Sequence, residues 1–530
     1  MDTPNKLDDS GLRHIKSHGH PEPQHSSTDE PQHPVRGHSG DLPQRFSPFA
    51  TLATAFSITN SWAGVAVVSA VLAIPLYAGA GPGALWAPIV SCSANLLVAF
   101  GLAEHASAFP SNGGQYHFTF MVSPDRYRLP LAFLTGWISV FAWLFSAASV
   151  GMFCAQVCMS IVFLYHPTFI AARWQTYLVY TVIMALVTLY IAFVPRAIPL
   201  SEKVFFWASV VGIIVSITTV LAVSDTKQTP RAVFLNFVNL TGWNDGVAFL
   251  LAVSQSGFGF GCIDAATHIS EELPNPDKNV PRAMYLTLLM GLGTSVPFVM
   301  SLLFSCTDFQ VVASSELPIL EIYLQATGSK AGATVLTLLI LLVFIGSAVG
   351  ATLTAGRLLW AFARDNGVFY ADFFGATNRS LQTPVNATLL AGGFCVLYGL
   401  IYIGSVEAYN SSVATAVLSL NITYMIPQAI ALMRGREKTL PARYFNLGRI
   451  FGPVCNIFAI LYVSLLTVVY FMPSFLPVTT VNMNYAIVVM AAAVIFIIAM
   501  WFIGGRNKTF VGPVAHLNGL ALVEGTSNTV

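Results

Sequence analysis

Three ionisable residues stand close together in and beside one apolar stretch of the sequence. Asp264, His268 and Glu271 are four and then three residues apart, which places them on one face if the segment is α-helical. A carboxyl group in apolar surroundings can take up a proton near neutral pH, and histidine titrates in that range. Glu104 is a further acidic residue within an apolar stretch. We predict that these four residues bind protons or act in gating.

His268, Glu271 and its neighbour Glu272 have a second interpretation. They lie at the cytosolic end of the apolar stretch, where contacts with Arg364 or Arg282 would give them a gating or structural role. We favour this role for both glutamates. Asp264 is the stronger candidate for proton binding, because an ionisable residue inside an apolar segment is costly and normally serves a function.

Two apolar segments are interrupted by residues that disfavour a helix. Gly257, Gly259 and Gly261 alternate within one segment, and each costs about 1 kcal/mol relative to alanine in a helix interior. The polar sequence Asn-Ser-Trp-Ala-Gly at residues 60–64 divides an earlier segment. Interrupted helices occur at membrane depth where they line a cavity or are buried in protein. Close helix packing through small residues is the alternative explanation of the glycines.

We predict that both interruptions line the binding site of a small molecule. The predicted binding residues are Asn60, Ser61, Trp62, Ala63, Gly64, Ser256, Gly257, Phe258, Gly259, Phe260, Gly261 and Asp264. An ammonium group over an aromatic face gains roughly 0.5–2 kcal/mol, so the aromatic rings in this set suit an amine. Trp137 and Trp143 are further candidates, and packing of all these rings against lipid or core is the alternative.

The composition identifies the elements that must position these residues. Only 9% of the 530 residues are charged and 55% are hydrophobic, whereas soluble domains are about 25% charged. A soluble enzyme, a nucleic-acid binder and a disordered scaffold are thereby excluded. Continuous apolar runs such as residues 331–349 contradict a β-barrel, whose strands alternate. The sequence predicts an all-α protein with many membrane-spanning helices.

Twelve apolar segments have the length of a membrane-spanning helix. They are residues 49–79, 83–109, 130–163, 175–195, 203–223, 246–269, 283–305, 331–362, 385–403, 408–433, 450–472 and 484–503. With the N-terminus in the cytosol, 21 of the 25 basic residues fall on the cytosolic side and only Arg173, Lys227, Arg231 and Lys330 on the other. This asymmetry predicts that both termini are cytosolic.

The two interrupted segments are the first and the sixth, which hold matching positions in two halves of five. Such a pair is typical of transporters built from an inverted repeat, with the binding site near the middle of the membrane. We predict one repeat over residues 49–223, a second over 246–433 and two additional helices over 450–503. Residues 1–48 are predicted to be a disordered cytosolic tail, and residues 504–530 a second cytosolic tail.

The sequence contains no pattern that predicts a cofactor or a metal site. The seven cysteines lie in apolar stretches, which is typical of small buried residues. Neither His-Glu-x-x-His nor Gly-x-Ser-x-Gly occurs, and so a membrane enzyme is not favoured. Asn239 and Asn410 begin Asn-x-Ser/Thr sequences in or near predicted outer loops and are candidate glycosylation sites.

Four motifs resemble those of the fungal amino acid/choline transporters, within the amino acid–polyamine–organocation superfamily. The resemblance covers nearly all of residues 49–510. The matching segments are Asp264–Pro276, Glu104 with Phe109–Tyr116, Arg357–Gly367, and Phe471–Pro473 with the following Pro477–Thr479 and Met483–Tyr485.

The resemblance implies secondary transport, commonly proton-coupled symport, of choline, γ-aminobutyrate, amino acids or polyamines across the plasma membrane or alternatively the vacuolar membrane. Amino acid carriers of the superfamily bind the substrate carboxylate with a Gly-Ser-Gly-like turn in the first span. Residues 60–64 depart from that pattern and resemble the choline branch. The alternatives are import or export for a secondary-metabolite pathway, and a transporter-like nutrient sensor.

Overall fold

The computed structural model describes residues 42–67, 69–169, 171–479 and 483–513. Most of the two predicted tails, residues 1–41 and 514–530, therefore lies outside the described part. Within that part the chain forms helices joined by short connections, with an isolated β-bridge between Asn378 and Thr383. The prediction of an all-α fold is confirmed.

The helices are numbered here in chain order. They are α1 Pro48–Thr59, α2 Ser61–Val67, α3 Ser69–Ala108, α4 Gln115–Val122, α5 Arg128–Tyr165, α6 Arg173–Phe193, α7 Ile198–Val223, α8 Pro230–Phe234, α9 Asp245–Ser256, α10 Pro276–Ser305, α11 Phe309–Ser314, α12 Pro318–Thr327, α13 Lys330–Arg364, α14 Ala371–Phe374, α15 Val385–Gly404, α16 Val406–Arg434, α17 Arg436–Thr439, α18 Gly448–Phe471, α19 Ala486–Phe502 and α20 Arg506–Thr509. Two 3₁₀ segments, Gly257–Phe260 and Thr267–Glu272, follow α9.

Nine helices of the described part are long and apolar enough to cross a membrane. The first and sixth predicted segments are not among them as single helices, because each is divided into shorter pieces. The last predicted segment, α19, has 17 residues and is shorter than the others. The count of twelve spans remains a prediction.

α3 contains the predicted boundary between the first two segments. Gly79 and Ala80 leave the helical conformation. The chain reverses its direction there. This is seen from Gly83, where an added Cβ would lie 2.3 Å from the carbonyl oxygen of Pro75, eight residues earlier. In a straight helix these two residues would be about 12 Å apart.

Helix ends are fixed by local signals that the sequence contains. Ser47 precedes α1, its Oγ accepts a hydrogen bond from the amide of Ala50 (3.1 Å), and Pro48 occupies the first helical position. Such a cap satisfies one of the unpaired amides of the first turn. Ser405 caps α16 in the same way through the amide of Ala408.

The helix packing has the pattern expected of a two-fold repeat. α5 packs on α16, and α13 packs on α7. If each span of the first half is matched with the span five places later, α5 corresponds to α13 and α7 corresponds to α16, so each of these pairs maps onto the other. The same matching maps two further pairs onto themselves, and the two helices of each pair are in contact. These pairs are α5 with α13 and α6 with α15. The packing favours the predicted repeats, whose boundaries remain a prediction.

Candidate functional site

The first interruption is a single residue between α1 and α2. Asn60 has a left-handed backbone, with φ of 36°, and its Oδ1 accepts a hydrogen bond from Ser209 Oγ on α7 (2.9 Å). The side-chain nitrogen Nδ2 of Asn60 and the hydroxyl oxygen Oγ of Ser61 are buried without a partner among the described residues. The break therefore leaves two polar groups available inside the protein.

The second interruption is longer and removes α-helical structure from residues 257–272. α9 gives way to the 3₁₀ turn Gly257–Phe260, and Cys262 adopts a left-handed backbone with φ of 56°. The expectation that Asp264, His268 and Glu271 share one α-helical face is therefore wrong. Asp264 and His268 still contact each other, whereas Glu271 contacts an arginine on α13.

The two interrupted segments touch each other through glycines. A Cβ added to Gly64 would lie 3.0 Å from Gly259 Cα, and one added to Gly259 would lie 2.6 Å from Val65 Cγ1. Both distances are shorter than ordinary contacts between carbon atoms. In this conformation the segments pack together, as in the alternative explanation of the glycines, and leave no room for a ligand between Gly64 and Gly259.

We expect Gly259→Ala to lower the free energy of unfolding by about 1–3 kcal/mol, because the added methyl group overpacks this contact. Gly293→Ala on α10 is the matched control, since nothing lies within 4 Å of a Cβ at that position. Thermal unfolding of the detergent-solubilised variants measures both effects. Equal midpoints for the two variants would contradict the close contact.

Asp264 lies at the centre of a buried polar cluster. Its Oδ2 is 2.8 Å from His268 Nε2 and accepts a hydrogen bond from Trp143 Nε1 on α5 (3.1 Å). Its Oδ1 accepts a hydrogen bond from Tyr424 Oη on α16 (2.5 Å). His268 Nδ1 is 2.8 Å from the carbonyl oxygen of Asn112 in the loop before α4. All four side chains of the cluster are buried; three helical elements meet at this carboxyl group, and the loop of Asn112 is connected to it through His268.

The partners of His268 determine where its protons lie. A carbonyl oxygen can only accept, so Nδ1 must carry hydrogen towards Asn112. One further proton must then lie between Nε2 and Oδ2 of Asp264, because without it two acceptors would face each other at 2.8 Å. The Asp264–His268 contact therefore contains one shared proton, and its loss would break the contact.

The remaining predicted acidic residues are paired with arginines. Glu104 contacts Arg436 and Arg443, and its side chain is fully buried. Glu271 contacts Arg364 at 2.9 Å, as expected from the gating interpretation. The end of the bundle that contains Glu104, Glu271 and their arginine partners is called the paired end.

Two further contacts belong to the paired end. Glu272 accepts a hydrogen bond from Arg357 (2.6 Å), whereas Arg282, its alternative partner in the sequence-based interpretation, donates to Tyr444. Tyr116 Oη donates to Asp365 Oδ2 (2.9 Å). Burial raises the pKa of Asp365 to about 7, although the hydrogen bond from Tyr116 acts in the opposite direction. The paired end is thus held by several buried contacts.

A cavity of 390 Å³ opens at the other end of the bundle. Its lining residues come from α3, α5, α9, the 3₁₀ segment Gly257–Phe260, α16, α18 and the segment between α18 and α19. They include Tyr77, Phe153, Gln156, Ser254, Gln255, Phe258, Glu407, Asn410, Tyr470, Phe475 and Asn484. Of the predicted binding residues, Phe258 alone belongs to the lining of this cavity.

The other predicted binding residues are buried and do not belong to the lining of the cavity. Trp62 donates from Nε1 to Ser209 Oγ (2.7 Å) and packs edge-on against Phe298, so its ring faces α7 and α10. Ser256 bonds back to the carbonyl of Ala252 (2.9 Å). The remaining buried members are Ala63, Gly257, Phe260 and Gly261, with Gly261 at the turn that precedes Asp264.

The two candidate glycosylation sites have different surroundings. Asn239 lies in the loop before α9, and its side chain donates to the carbonyl of Trp243 (2.7 Å) and to Asp245 (3.0 Å). Asn410 lies in the first turns of α16 and lines the cavity. Glycosylation of either residue remains a prediction.

Several residues of the site were not predicted from the sequence. Asn112 lies within a motif noted for its resemblance, yet nothing local in the sequence indicates that it accepts from His268 and from the amide of Glu271. Tyr424 is 160 residues from Asp264 in the chain. Glu407 and Glu202 lie one residue before the predicted spans 408–433 and 203–223 and were not among the predicted site residues.

Comparison with known proteins is consistent with this architecture. The sequence model described as "Amino acid permease" matches residues 49–493. The choline transporter of Saccharomyces cerevisiae is 30% identical over 88% of this chain and 82% of its own length. The transmembrane transporter swnT of Metarhizium robertsii is 30% identical over 92% of this chain and 97% of its own. The swainsonine transporter swnT of Arthroderma benhamiae is 29% identical over 88% and 93%.

These relatives are named as transporters, in agreement with the expectation that the chain is not an enzyme. The match to the permease model extends from α1 into α19 and includes both interruptions. The chain therefore belongs to the amino acid permease family and is a multi-pass membrane transporter of the amino acid or amine type.

Proposed function

We propose that the chain transports a small cationic amine, with choline as the first candidate, in symport with protons. The observation that carries this proposal is the composition of the cavity. Among the described residues of its lining, Glu407 is the acidic group and no lysine, arginine or histidine accompanies it. A carboxylate without a competing cation attracts a positively charged substrate and disfavours a carboxylate.

Aromatic rings support the same substrate class. Tyr77, Phe153, Phe258, Tyr470 and Phe475 line the cavity, and Phe153 meets Phe258 edge-on at 5.4 Å. An ammonium group over such a face is stabilised by roughly 0.5–2 kcal/mol. The similarity to a protein named a choline transporter adds to this argument. γ-Aminobutyrate and neutral amino acids fit less well, since their carboxylate would have no counter-ion in the cavity.

Purified protein in proteoliposomes provides the direct test. Radiolabelled choline, γ-aminobutyrate, a polyamine and several amino acids are offered in turn, with and without an imposed proton gradient. We expect choline uptake that exceeds the uptake of the carboxylate-bearing compounds and that increases with an inward proton gradient. Preference for a carboxylate-bearing compound would overturn the assignment of substrate class.

We expect Glu407→Gln to raise the KM for choline about tenfold, which corresponds to about 1.4 kcal/mol of lost ground-state attraction. The maximal rate should change little, because the carboxylate lies at the entrance and not at the proton pair. Glu316→Gln is the matched control, since this glutamate is exposed, lies between α11 and α12 and is not part of the cavity lining. Concentration-dependent uptake measures both constants, and equal KM values for the two variants would exclude the role of Glu407.

The proposal of proton coupling rests on Asp264 and His268. They share one proton in a buried contact that cannot persist without it. Tyr424 and Trp143 connect the pair to α16 and α5, so a change of protonation acts on both halves of the bundle. In this proposal the plasma membrane is the site of transport, with both termini cytosolic and the paired end facing the cytosol.

A second candidate function is transport of a secondary metabolite. It is favoured by the similarity to two transporters named swnT, one of them a swainsonine transporter. Counterflow distinguishes the two candidates, because a carrier of choline exchanges internal choline for external label. Exchange that occurs with swainsonine but not with choline would favour the second function.

A further inference from the structure

A second cavity, an apolar groove of 780 Å³, lies along the outside of the bundle. It shares no lining residue with the cavity that contains Glu407. Its floor includes Trp137 and Leu144 of α5, which are buried, and its rims include Leu390 of α15 and Val488 of α19, which are exposed. The groove is therefore open towards the surroundings of the bundle, and it is called the α15–α19 groove.

The shape of the α15–α19 groove suits a hydrocarbon chain. On α15 its lining extends from Leu390 to Ile401, which corresponds to about 16 Å of helix. Because α15 is long and apolar enough to span a membrane, the groove is elongated in the direction of the lipid chains. The lining side chains are aliphatic or aromatic, and the polar atoms among them are limited to the indole nitrogen of Trp137 and the hydroxyl groups of Tyr370 and Tyr398.

One end of the groove opens next to an arginine. Phe369 lines the groove five residues beyond Arg364, so this mouth is at the paired end. The guanidinium group of Arg506 lies over the ring of Phe369, 6.0 Å from its centroid. Arg506 Nη1 donates to the carbonyl oxygen of Asn366 (3.3 Å), and Nε is buried without a hydrogen-bond partner among the described residues. Within that part of the chain no carboxylate pairs with Arg506.

The mouth of the groove has an excess of positive charge. Three basic side chains and one acidic side chain lie in the two segments that border it, residues 366–379 and 504–513. They are Arg379, Arg506, Lys508 and Asp372. The proposed orientation places this mouth in the cytosolic leaflet, where anionic lipids are attracted to basic side chains beside membrane-spanning helices. The charge of the mouth is thus complementary to an anionic headgroup.

The charge of the headgroup must decide which lipid is bound. An acyl chain gains no hydrophobic free energy when it moves from the bilayer into the groove, because lipid chains are as apolar as the lining. A sterol offers one uncharged hydroxyl group and leaves the charge of Arg506 without a counter-ion. A phosphate oxygen accepts charge-assisted hydrogen bonds from a guanidinium group, and such bonds are stronger than neutral ones.

We propose that the α15–α19 groove binds one anionic phospholipid, with an acyl chain between α15 and α19 and the phosphate at Arg506. The bound lipid connects α19 with α5 and α15, and it stabilises the position of this helix. The leaflet rests on the proposed orientation of the paired end. The binding itself depends neither on the proposed substrate nor on proton coupling.

Native mass spectrometry of the full-length protein tests the selectivity. The detergent-solubilised protein is mixed with equal amounts of phosphatidylserine and phosphatidylcholine that carry the same acyl chains. We expect wild type to retain one phosphatidylserine in preference to phosphatidylcholine. Arg506→Gln should reduce this preference at least fivefold, which corresponds to about 1 kcal/mol, whereas Arg506→Lys should retain most of it. Equal retention of the two lipids by wild type would overturn the proposal.

Arg449→Gln is the matched control for surface charge. Arg449 is exposed at the start of α18, two residues after Leu447, whose amide donates to Glu104 at the paired end. It does not line the groove. We expect its substitution to leave the preference for phosphatidylserine unchanged. An equal loss of preference in Arg449→Gln and Arg506→Gln would show a general effect of surface charge and would overturn the assignment of the phosphate to Arg506.

A substitution that fills the groove tests the position of the acyl chain. Ala493 on α19 lines the groove, whereas Ala491 on the same helix is exposed and outside the lining. We expect Ala493→Phe to lose the bound phosphatidylserine and Ala491→Phe to retain it. Phosphatidylserine should also raise the midpoint of thermal unfolding of wild type and of Ala491→Phe but not of Ala493→Phe. Ala493→Leu is the smaller substitution if the phenylalanine variant does not fold, and retention of the lipid by both variants at 493 would overturn the proposal.

The other possible occupants of the groove are tested with the same proteins. Ergosterol that displaces phosphatidylserine from wild type and binds equally well to Arg506→Gln would overturn the proposal in favour of a sterol site. A dimer that is free of lipid and dissociates in Ala493→Phe would overturn it in favour of a second copy of the chain. A monomer that keeps phosphatidylserine in the presence of ergosterol supports the anionic phospholipid.

Discussion

Asp264→Asn is expected to reduce proton-driven uptake at least a hundredfold without unfolding the protein. An asparagine amide can donate to Nε2 of a neutral His268, while its carbonyl oxygen accepts from Tyr424. The contacts with His268 and Tyr424 can then form without the shared proton that the native carboxyl group requires, although Trp143 Nε1 loses its acceptor. The variant should therefore remain folded but lose the proton cycle that drives transport. Uptake into proteoliposomes under an imposed proton gradient, together with thermal unfolding, measures both parts.

Tyr424→Phe is the matched control for this cluster. It removes one donor to Asp264 Oδ1 but leaves the contact with His268 and the hydrogen bond from Trp143 in place. We expect a moderate loss of uptake, about tenfold, with the proton dependence retained. If Asp264→Asn still transports at a rate that depends fully on the proton gradient, the coupling role of Asp264 is excluded.

Glu104→Ala should have the largest effect on folding. The side chains of Arg436 and Arg443 are 5% and 3% exposed, and both contact Glu104. Removal of one partner from a buried ion pair leaves an uncompensated charge and costs about 3–5 kcal/mol. Since this is a large share of the stability of most proteins, we expect little folded protein after solubilisation. Size-exclusion chromatography and the midpoint of thermal unfolding provide the measurement.

Glu271→Ala is the control that tests whether the burial of the ion pair determines the loss of stability. Its partner Arg364 is more exposed, at 12% of its side chain, and also stacks over the ring of Trp360 at 3.8 Å. The arginine therefore keeps a second stabilising contact when the carboxylate is removed. We expect a smaller loss of stability than in Glu104→Ala, and an equal loss would show that burial of the pair is not what decides the effect.

The architecture was predictable because it depends on local composition. The long apolar segments, the polar residues 60–64 and the alternating glycines 257, 259 and 261 are visible without knowledge of any partner. The polar residues and the glycines each disturb helix formation in their own segment. Both interruptions therefore occur where the sequence indicates them. The reversal at Gly79 and Ala80 lies at the predicted boundary between the first two segments for the same reason.

The contacts of the site were less predictable because they join residues far apart in the chain. Tyr424 is 160 residues from Asp264, and Asn112 is 156 residues from His268. The direction of Trp62 depends on Ser209, which no local pattern indicates. The glycines that interrupt the helix also changed the geometry of residues 264–271, so the helical spacing rule failed for Glu271.

The arginines of the paired end also affect a cation that leaves on that side. While the end is closed, the three carboxylates of Glu104, Glu271 and Glu272 pair with four guanidinium groups, which leaves one excess positive charge. Opening separates such pairs and exposes both partners, and the one excess positive charge then repels a cation that approaches from outside the opening. A positively charged solute that has left is thus recaptured slowly. The carrier should therefore transport the cation faster towards the paired end than away from it.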